Sequence, residues 1–536
     1  MQLTESTWFV IAIIIYLFAM LAIGFWAYRK NDDYSDYMLG GRDLPPFVAA
    51  MSAGASDMSG WLLMGLPGAL FVSGFSELWI AVGLSIGAWA NWKWVAPRLR
   101  AYTEIARNSI TMPSFFENRL RDRSRLLRII SSIIIIFFFT FYISSGMVSG
   151  GRYFESTFDG DYLTGLLIVA GITVAYTFIG GFLAVSYTDT VQAMMMLAAL
   201  IIVPVMALVA LDNPTDIFGW QTENAYGPWP EGNPEYFNMF TGVSAAVIIG
   251  NLAWGLGYLG QPHILVRFMA LRSPRQAVQG RRWNISWMVL TLLGGLIVAM
   301  VSTVYFGQKQ SSVTDQTNYE TVFLDLTRIL FHPLIAGLVL TAVLAAIMST
   351  MSSQLLVVSS SLIEDLTKII FRREIPDKVL VNLSRTAVVA VAIIAAMLAI
   401  VPKDSILGLV GFAWAGFGSA FGPLVVAMLY WRRLTSAGAI AGMITGAVVS
   451  VGWSVLGLSS LMYELVPGFL AGAVALAVVS LLTREPSEEI TAEFDAAVYL
   501  AETGEFSGAA AEEAREAAGL ETVSEPGPAE GGSSRA

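Results

Sequence analysis

The chain has 536 residues, 55% of them hydrophobic and only 13% charged, with 15 Trp, 30 Phe and a mean hydropathy of +0.64; soluble domains carry about a quarter charged residues, so soluble enzyme and nucleic-acid-binding classes find no support. The net charge of −10 does not mark a basic partner, because much of the acidity falls in one C-terminal tail. No cysteine is present, which excludes disulfides, thiolate metal sites and cysteine nucleophiles; two histidines argue against a zinc site or a Ser-His-Asp triad, and no Walker loop appears.

The apolar residues come in runs long enough to cross a bilayer, about 20 residues each. Helices are expected near 7–27, 46–72, 77–97, 129–150, 162–183, 188–210, 239–262, 284–307, 331–362, 384–402, 405–431, 436–457 and 461–482. The first run follows Glu5 and precedes Arg29-Lys30, the wrong charge order for a cleaved signal, so it reads as a retained helix with its N-terminus outside. Charge alternation supports thirteen crossings. The loop after the third helix carries Arg98, Arg100, Arg107, Arg119, Arg121, Arg123, Arg125 and Arg128. That after the seventh carries Arg267, Arg272, Arg275, Arg281 and Arg282; later even-parity segments add Lys368, Arg372, Arg373, Lys378 and Arg432-Arg433. The 211–238 loop instead holds Asp212, Asp216, Glu223, Glu231 and Glu235 without a Lys or Arg. The positive-inside rule places the basic loops and the C-terminus in the cytoplasm of a bacterial inner-membrane protein.

Helices two to six and seven to eleven have matching connections, the shortest near 184–187 and 403–404. Sets of five enter the membrane from opposite sides, as an inverted repeat requires. The expected organisation is 1–45, an extra helix and first cytoplasmic loop; 46–210, repeat one; 239–432, repeat two; 433–483, two C-terminal helices; and 484–536, an acidic tail. That tail reads as a short amphipathic stretch near 488–503 followed by disorder. The first helix of each set is interrupted by Gly, Ser or Pro, at 53–60 (AGASDMSG) and 250–262 (GNLAWGLGYLGQP). Unwound backbone at membrane depth is tolerated only where it is buried in protein or lines a cavity.

Asp57, an ionisable group mid-helix among small residues, marks an ion path, or alternatively caps the second half of its broken helix. Ser59 and Gly60 beside it supply a hydroxyl and close backbone access. In helix nine, Ser349 and Thr350 can simply bond back to their own helix. Opposite a broken helix two they can instead join the carbonyls of Ala55, Met58 and Ala346, five neutral oxygens that suit a sodium-sized cation. Trp254 and Tyr258, four apart, share a helical face and form either a cavity wall or interfacial aromatics; Tyr142 is a weaker candidate for the same cavity. His263 reads as a structural cap rather than a proton relay. Arg42 guards an inner exit or is an ordinary positive-inside anchor.

The stretches 52–69 (SAGASDMSGWLLMGLPGA), 178–193 (FIGGFLAVSYTDTVQA), 254–270 (WGLGYLGQPHILVRFMA) and 344–357 (LAAIMSTMSSQLLV) resemble the proline-transporting members of the sodium:solute symporter family, a likeness running from about residue 10 to 482. The resemblance implies an all-α polytopic membrane protein of about thirteen transmembrane helices, with a five-plus-five inverted repeat (LeuT-like) and flanking helices. It also implies sodium-driven uptake of L-proline. The family's sodium site falls on Ala55, Met58, Ala346, Ser349 and Thr350. Its substrate and coupling residues fall on Asp57, Ser59, Gly60, Tyr142, Trp254, Tyr258 and Pro262, and its gating or ion-release positions on Arg42 and Asp189. Sodium is then a co-transported ion, L-proline and the lipid bilayer are the partners, and no obligate protein partner is evident. The competing readings are a sodium-coupled symporter of another small solute and a transporter-like sensor, the latter opposed by a tail too short for a signalling domain.

Overall fold

The computed structural model describes residues 4–28, 39–309, 319–367, 377–402 and 404–503. Arg29, Lys30, Lys368, Arg372, Arg373, the side chain of Lys378 and the tail from 504 onward lie outside the described residues. Among those described no strand forms; pairing is confined to isolated bridges, Leu44 with Leu271 and Tyr226 with Trp229.

Among the described residues about thirteen helical segments that can cross a bilayer follow one another, ten of them long and apolar enough to do so by length and composition alone. The first is α1 (Glu5–Tyr28), and the second is split into α2 (Pro46–Asp57) and α3 (Leu66–Ser73). The third joins α4 (Leu78–Ala90) to α5 (Ala96–Ile105), and a short α6 (Met112–Leu120) leads to α7 (Leu126–Phe158). The fifth and sixth form one element, α8 (Tyr162–Ala210), and the seventh is split into α9 (Ala245–Gly257) and α10 (Pro262–Met269). Then come α11 (Gln276–Lys309), a short α12 (Val322–Leu330), α13 (Pro333–Ser360), α14 (Asp377–Ala399), α15 (Ile406–Tyr430), α16 (Ser436–Val455) and α17 (Leu465–Leu482). The expected amphipathic stretch of the tail is α18 (Glu488–Thr503). Its Phe494 and the ring of Tyr102 enclose the Arg119 guanidinium, and Asp495 pairs with Arg432 at 2.9 Å.

The exterior of the bundle differs from that of a soluble protein. Phe18 on α1 and Leu482 on α17 are 74% and 81% exposed, whereas Asp189, Ser349, Ser352 and Ser353 are fully buried. An apolar exterior that also encloses a set of buried polar groups suits a hydrocarbon solvent.

Three expectations need correction. The basic run placed after the third helix begins inside it: Arg98 and Arg100 sit on α5, which extends the crossing to Ile105. The reversal expected near 184–187 is a break at Gly181, with φ 60° and ψ −175°, a backbone shape open to glycine and closed to most side chains. Unbroken, the 49 residues of α8 would run about 74 Å, twice the thickness of a hydrocarbon core and more. Finally, Arg267 is no loop residue; it lies within α10 and is fully buried.

Close helix approach is set by small residues. A Cβ on Gly87 would lie 2.2 Å from the Gly255 carbonyl oxygen, and one on Gly255 would lie 2.2 Å from that of Gly83. Glycines spaced four apart on α4 thus let α9 come into backbone contact, the usual route to helix association without a hydrophobic drive. Gly24 on α1 has nothing within 4 Å of an added Cβ. Gly255→Val should therefore cost about 1–3 kcal/mol or more of fold stability, read as a lower unfolding temperature in detergent, while Gly24→Val leaves it unchanged. Equal effects would contradict this packing.

Candidate functional site

The second crossing unwinds where its sequence is richest in Gly and Ser. Helix α2 ends at Asp57, and Met58 (φ −84°, ψ 79°) turns its carbonyl out of the helical ladder. A π-helical turn, Trp61–Gly65, restores the helix before α3. Such turns cluster at functional sites because they aim side chains off the regular spiral. Gly60 is closely enclosed: a Cβ there would sit 3.0 Å from the Ser149 hydroxyl of α7 and 3.1 Å from Ile347 of α13.

The break faces α13. Ser349 donates to the Ala55 carbonyl at 2.8 Å and to the Ala346 carbonyl at 3.0 Å, and Thr350 donates to the Ala55 carbonyl at 3.3 Å. The structure therefore gathers Ala55, Ala346, Ser349 and Thr350 in one buried knot of oxygens, and Met58 follows Ala55 three residues along the same chain. Local back-bonding and the cross-helix contact coexist, since Ser349 serves both acceptors.

On the other side of the break lies Asp57, buried. One carboxylate oxygen accepts the Tyr258 hydroxyl, and the other has no hydrogen-bond partner among the described residues. Its backbone carbonyl takes Trp61 Nε1 at 3.2 Å, the Tyr142 hydroxyl at 3.4 Å and Ser59 N at 3.0 Å. Asp57, Ser59, Tyr142 and Tyr258 thus converge on a few ångströms of unwound chain.

The second break supplies Tyr258. Helix α9 ends at Gly257, Tyr258–Gly260 form a tight 3-10 turn, and Pro262 opens α10 at its first position, where a missing N–H does no harm. Gln261 spans the gap, donating to the Gly257 and Trp414 carbonyls at 3.2 Å each. Trp254 lies one turn before Tyr258 and packs against Trp61 and Trp414, with ring centroids 6.4 and 6.3 Å away. His263, the second residue of α10, is buried against the rings of Phe139 and Tyr142.

Cavities divide the molecule unequally. Beside Asp57, Met58 and Tyr258 only about 10 Å³ is open. Above Trp254, toward the acidic loop that carries Asp212, opens a vestibule of about 570 Å³ rimmed by Glu77, Asp404 and Glu464. The opposite, basic end is stitched shut. Arg42 donates to Thr103 Oγ1 and the Met269 carbonyl at 3.0 Å each and to the Ser109 carbonyl at 2.7 Å. Burial and the nearby Arg100 push its pKa below the usual arginine range, a cost these three acceptors offset. Leu44 N adds a bond of 3.1 Å to the Ala270 carbonyl, and Asp43 pairs with Arg272.

Asp189 occupies a separate cluster beneath the break. It accepts from Ser52 at 2.7 Å, from Arg267 at 3.2 Å and from Ser353 at 3.4 Å, and Arg267 also donates to Ser52 at 3.1 Å and Ser353 at 2.6 Å. Ser52, Arg267 and Ser353 are not among the site residues expected from the sequence. The one available signal was that Ser52 lies five residues before Asp57 and Ser353 four after Ser349, on the elements already marked.

Comparison with known proteins places this geometry. The model of the Sodium:solute symporter family matches residues 37–446. The chain belongs to the sodium:solute symporter family. It is 52% identical over 476 residues to the high-affinity proline transporter PutP of Bacillus subtilis, covering 89% of this chain and 98% of that one. It is 49% identical over 490 residues to the sodium/proline symporter of Escherichia coli, covering 91% and 96%. Among solved structures, a substrate-bound, outward-open Na+-coupled sialic acid symporter superposes with a TM-score of 0.74 at 17% identity, covering 90% of this chain and 99% of that one. That likeness shows the fold: a five-plus-five inverted-repeat, LeuT-like bundle with flanking helices. Like the rest of its family, the chain is a multi-pass solute transporter and not an enzyme.

The buried ion pair carries a stability consequence. Asp189→Asn leaves the Arg267 guanidinium without its counter-charge and should cost about 3 kcal/mol or more, seen as a lowered unfolding temperature in detergent. The paired change Asp189→Leu with Arg267→Met should recover most of that loss. A single variant as stable as the parent would show that the pair does not hold the core.

Proposed function

We propose that this chain is a secondary active transporter that couples L-proline uptake to sodium by alternating access. The observation that carries the reading is the pairing of two broken crossings around a buried carboxylate, with Asp57 on one break and Tyr258 on the other. Its support is the 52% identity to a proline transporter over nearly all of that relative's length. In this reading the carbonyls of Ala55, Met58 and Ala346 and the hydroxyls of Ser349 and Thr350 hold sodium. Asp57 stands beside that site as the group linking it to substrate, with Ser59 and Gly60 shaping the break. Trp254, Tyr258, Pro262 and Tyr142 face proline, whose imino group competes with the Tyr258 hydroxyl for Asp57. The N-terminus of α10 at Pro262 offers the positive end of a half-helix to proline's carboxylate.

Orientation follows from charge: the acidic end with its vestibule is outside, the basic end with α18 is cytoplasmic, and the N-terminus is outside. Residues 46–210 and 239–432 form the two repeats, with 1–45 and 433–483 flanking them and 484–536 as the cytoplasmic tail. The Arg42 seal is then the closed inner gate, and Asp189 with Arg267 lies on the route by which sodium leaves. Zwitterionic proline carries no net charge, so each sodium moves one charge, to which about 100 mV contributes roughly 2.3 kcal/mol. A tenfold sodium gradient adds roughly 1.4 kcal/mol, so one-to-one coupling supports accumulation on the order of several hundredfold.

In proteoliposomes, labelled proline uptake should rise with an inward sodium gradient and with an interior-negative potential. Ser349→Ala and Thr350→Ala should each raise the half-saturating sodium concentration about tenfold or more, with proline binding at saturating sodium far less changed. Uptake that runs equally well in choline or on a proton gradient alone contradicts the sodium reading. Variants with the parent's sodium dependence contradict the assigned ligands.

A further inference from the structure

The vestibule ends on Trp254, and one face of that indole is already covered. Tyr463 lies parallel to it, with ring centroids 5.5 Å apart at an interplanar angle of 14°. The Tyr463 hydroxyl donates to the Gly411 carbonyl of α15 at 2.7 Å. The ring thus bridges α9 and α15 across the top of the closed centre. It belongs to neither broken crossing, coming from the turn that joins α16 to α17.

The surroundings are fitted to this ring. A Cβ on Gly250 of α9 would meet the Tyr463 Cβ at 3.0 Å, and one on Gly411 would meet the Trp254 ring at 3.3 Å. Any larger residue at either position would push the stack apart. The turn is held further by its own backbone, with Leu461 N on the Leu458 carbonyl at 2.9 Å, and by Trp453 Nε1, which donates to the Met462 carbonyl at 2.9 Å, one residue before the tyrosine. The Tyr463 ring is therefore seated by one stacked ring and one hydroxyl bond, while its backbone carbonyl accepts Val466 N at 3.0 Å at the start of α17.

We propose that Tyr463 is the lid of the outer gate: it closes over Trp254 when the site is shut and swings into the vestibule to admit or release the solute. The proposal rests on the uptake reading above. Stacking of aromatic faces and a single neutral hydrogen bond are weak enough to break in each cycle and strong enough to slow escape. The lid also ties the flanking helices α16 and α17 to the transport cycle, which gives these helices a role beyond enclosing the bundle.

The test reads release of labelled proline from purified protein at saturating sodium, after a chase with unlabelled proline. Tyr463→Ala should speed release about tenfold and raise KM, and Tyr463→Phe, which keeps the stack but loses the Gly411 bond, should speed it about threefold. A second arm keeps the loop and fixes it in place. The chain contains no cysteine, so Gly250→Cys combined with Tyr463→Cys introduces the sole pair that can cross-link, at a separation a small shift brings to disulfide geometry. Oxidation should abolish uptake and reductant should restore it, with each single variant indifferent to oxidant. Unchanged release in Tyr463→Ala overturns the lid, and full uptake by the cross-linked protein overturns the movement of the turn that carries it. A parent chain whose proline uptake ignores sodium overturns the coupling reading instead, and leaves the release and cross-link results to decide the lid.

Discussion

A polypeptide in hydrocarbon has no water to satisfy its backbone, so each carbonyl or N–H that leaves the helical ladder must find a partner within the protein. That constraint organises the bundle. The unwound residues after Asp57 and after Gly257 lie at its centre, and everything around them supplies partners: Tyr142 and Trp61 to the Asp57 carbonyl, Ser349 and Thr350 to the Ala55 carbonyl, Gln261 across the second gap. The same groups that make the breaks tolerable are those that can exchange partners when an ion or solute arrives. A site built from satisfied but exchangeable oxygens is cheap to open, and this is the physical basis of binding at membrane depth.

The two ends of the molecule are closed by different means. At the basic end charged side chains reach backbone carbonyls, with Arg42 alone taking three acceptors, and Leu44 extends the seal through the main chain. At the acidic end closure is a stack of rings below an open vestibule. A hydrogen-bonded seal of many parts releases only when several contacts are lost together, whereas a stacked ring turns aside singly. The asymmetry matches a molecule resting closed on one side and nearly open on the other.

Much of this was legible in the sequence. Crossings announce themselves as long apolar runs, and both breaks fall where Gly, Ser and Pro cluster, at 53–60 and 250–262. The oxygens gathered from α2 and α13 could be named because the motifs are long. What could not be read were relationships between distant positions. Arg267 stands next to a row of loop arginines, and nothing local distinguishes it; its partner Asp189 is 78 residues away. Gly181 was missed because glycine in an apolar run is common, and only its positive φ makes it a break. Tyr463 near a helix end looks like an ordinary interfacial aromatic until Trp254 is seen beneath it.

In the proposed function Asp57, which bridges the two breaks through Tyr258, transmits sodium binding to proline. Binding linkage tests this directly, because sodium must tighten proline by the same factor by which proline tightens sodium. Proline affinity measured on purified protein, with and without saturating sodium, should show that factor in the parent, on the order of 5- to 150-fold. In Asp57→Asn, sodium should still bind while the factor falls toward one. An Asp57→Asn protein that keeps the parent's full factor would contradict the claim and reduce the carboxylate to a cap for its broken helix.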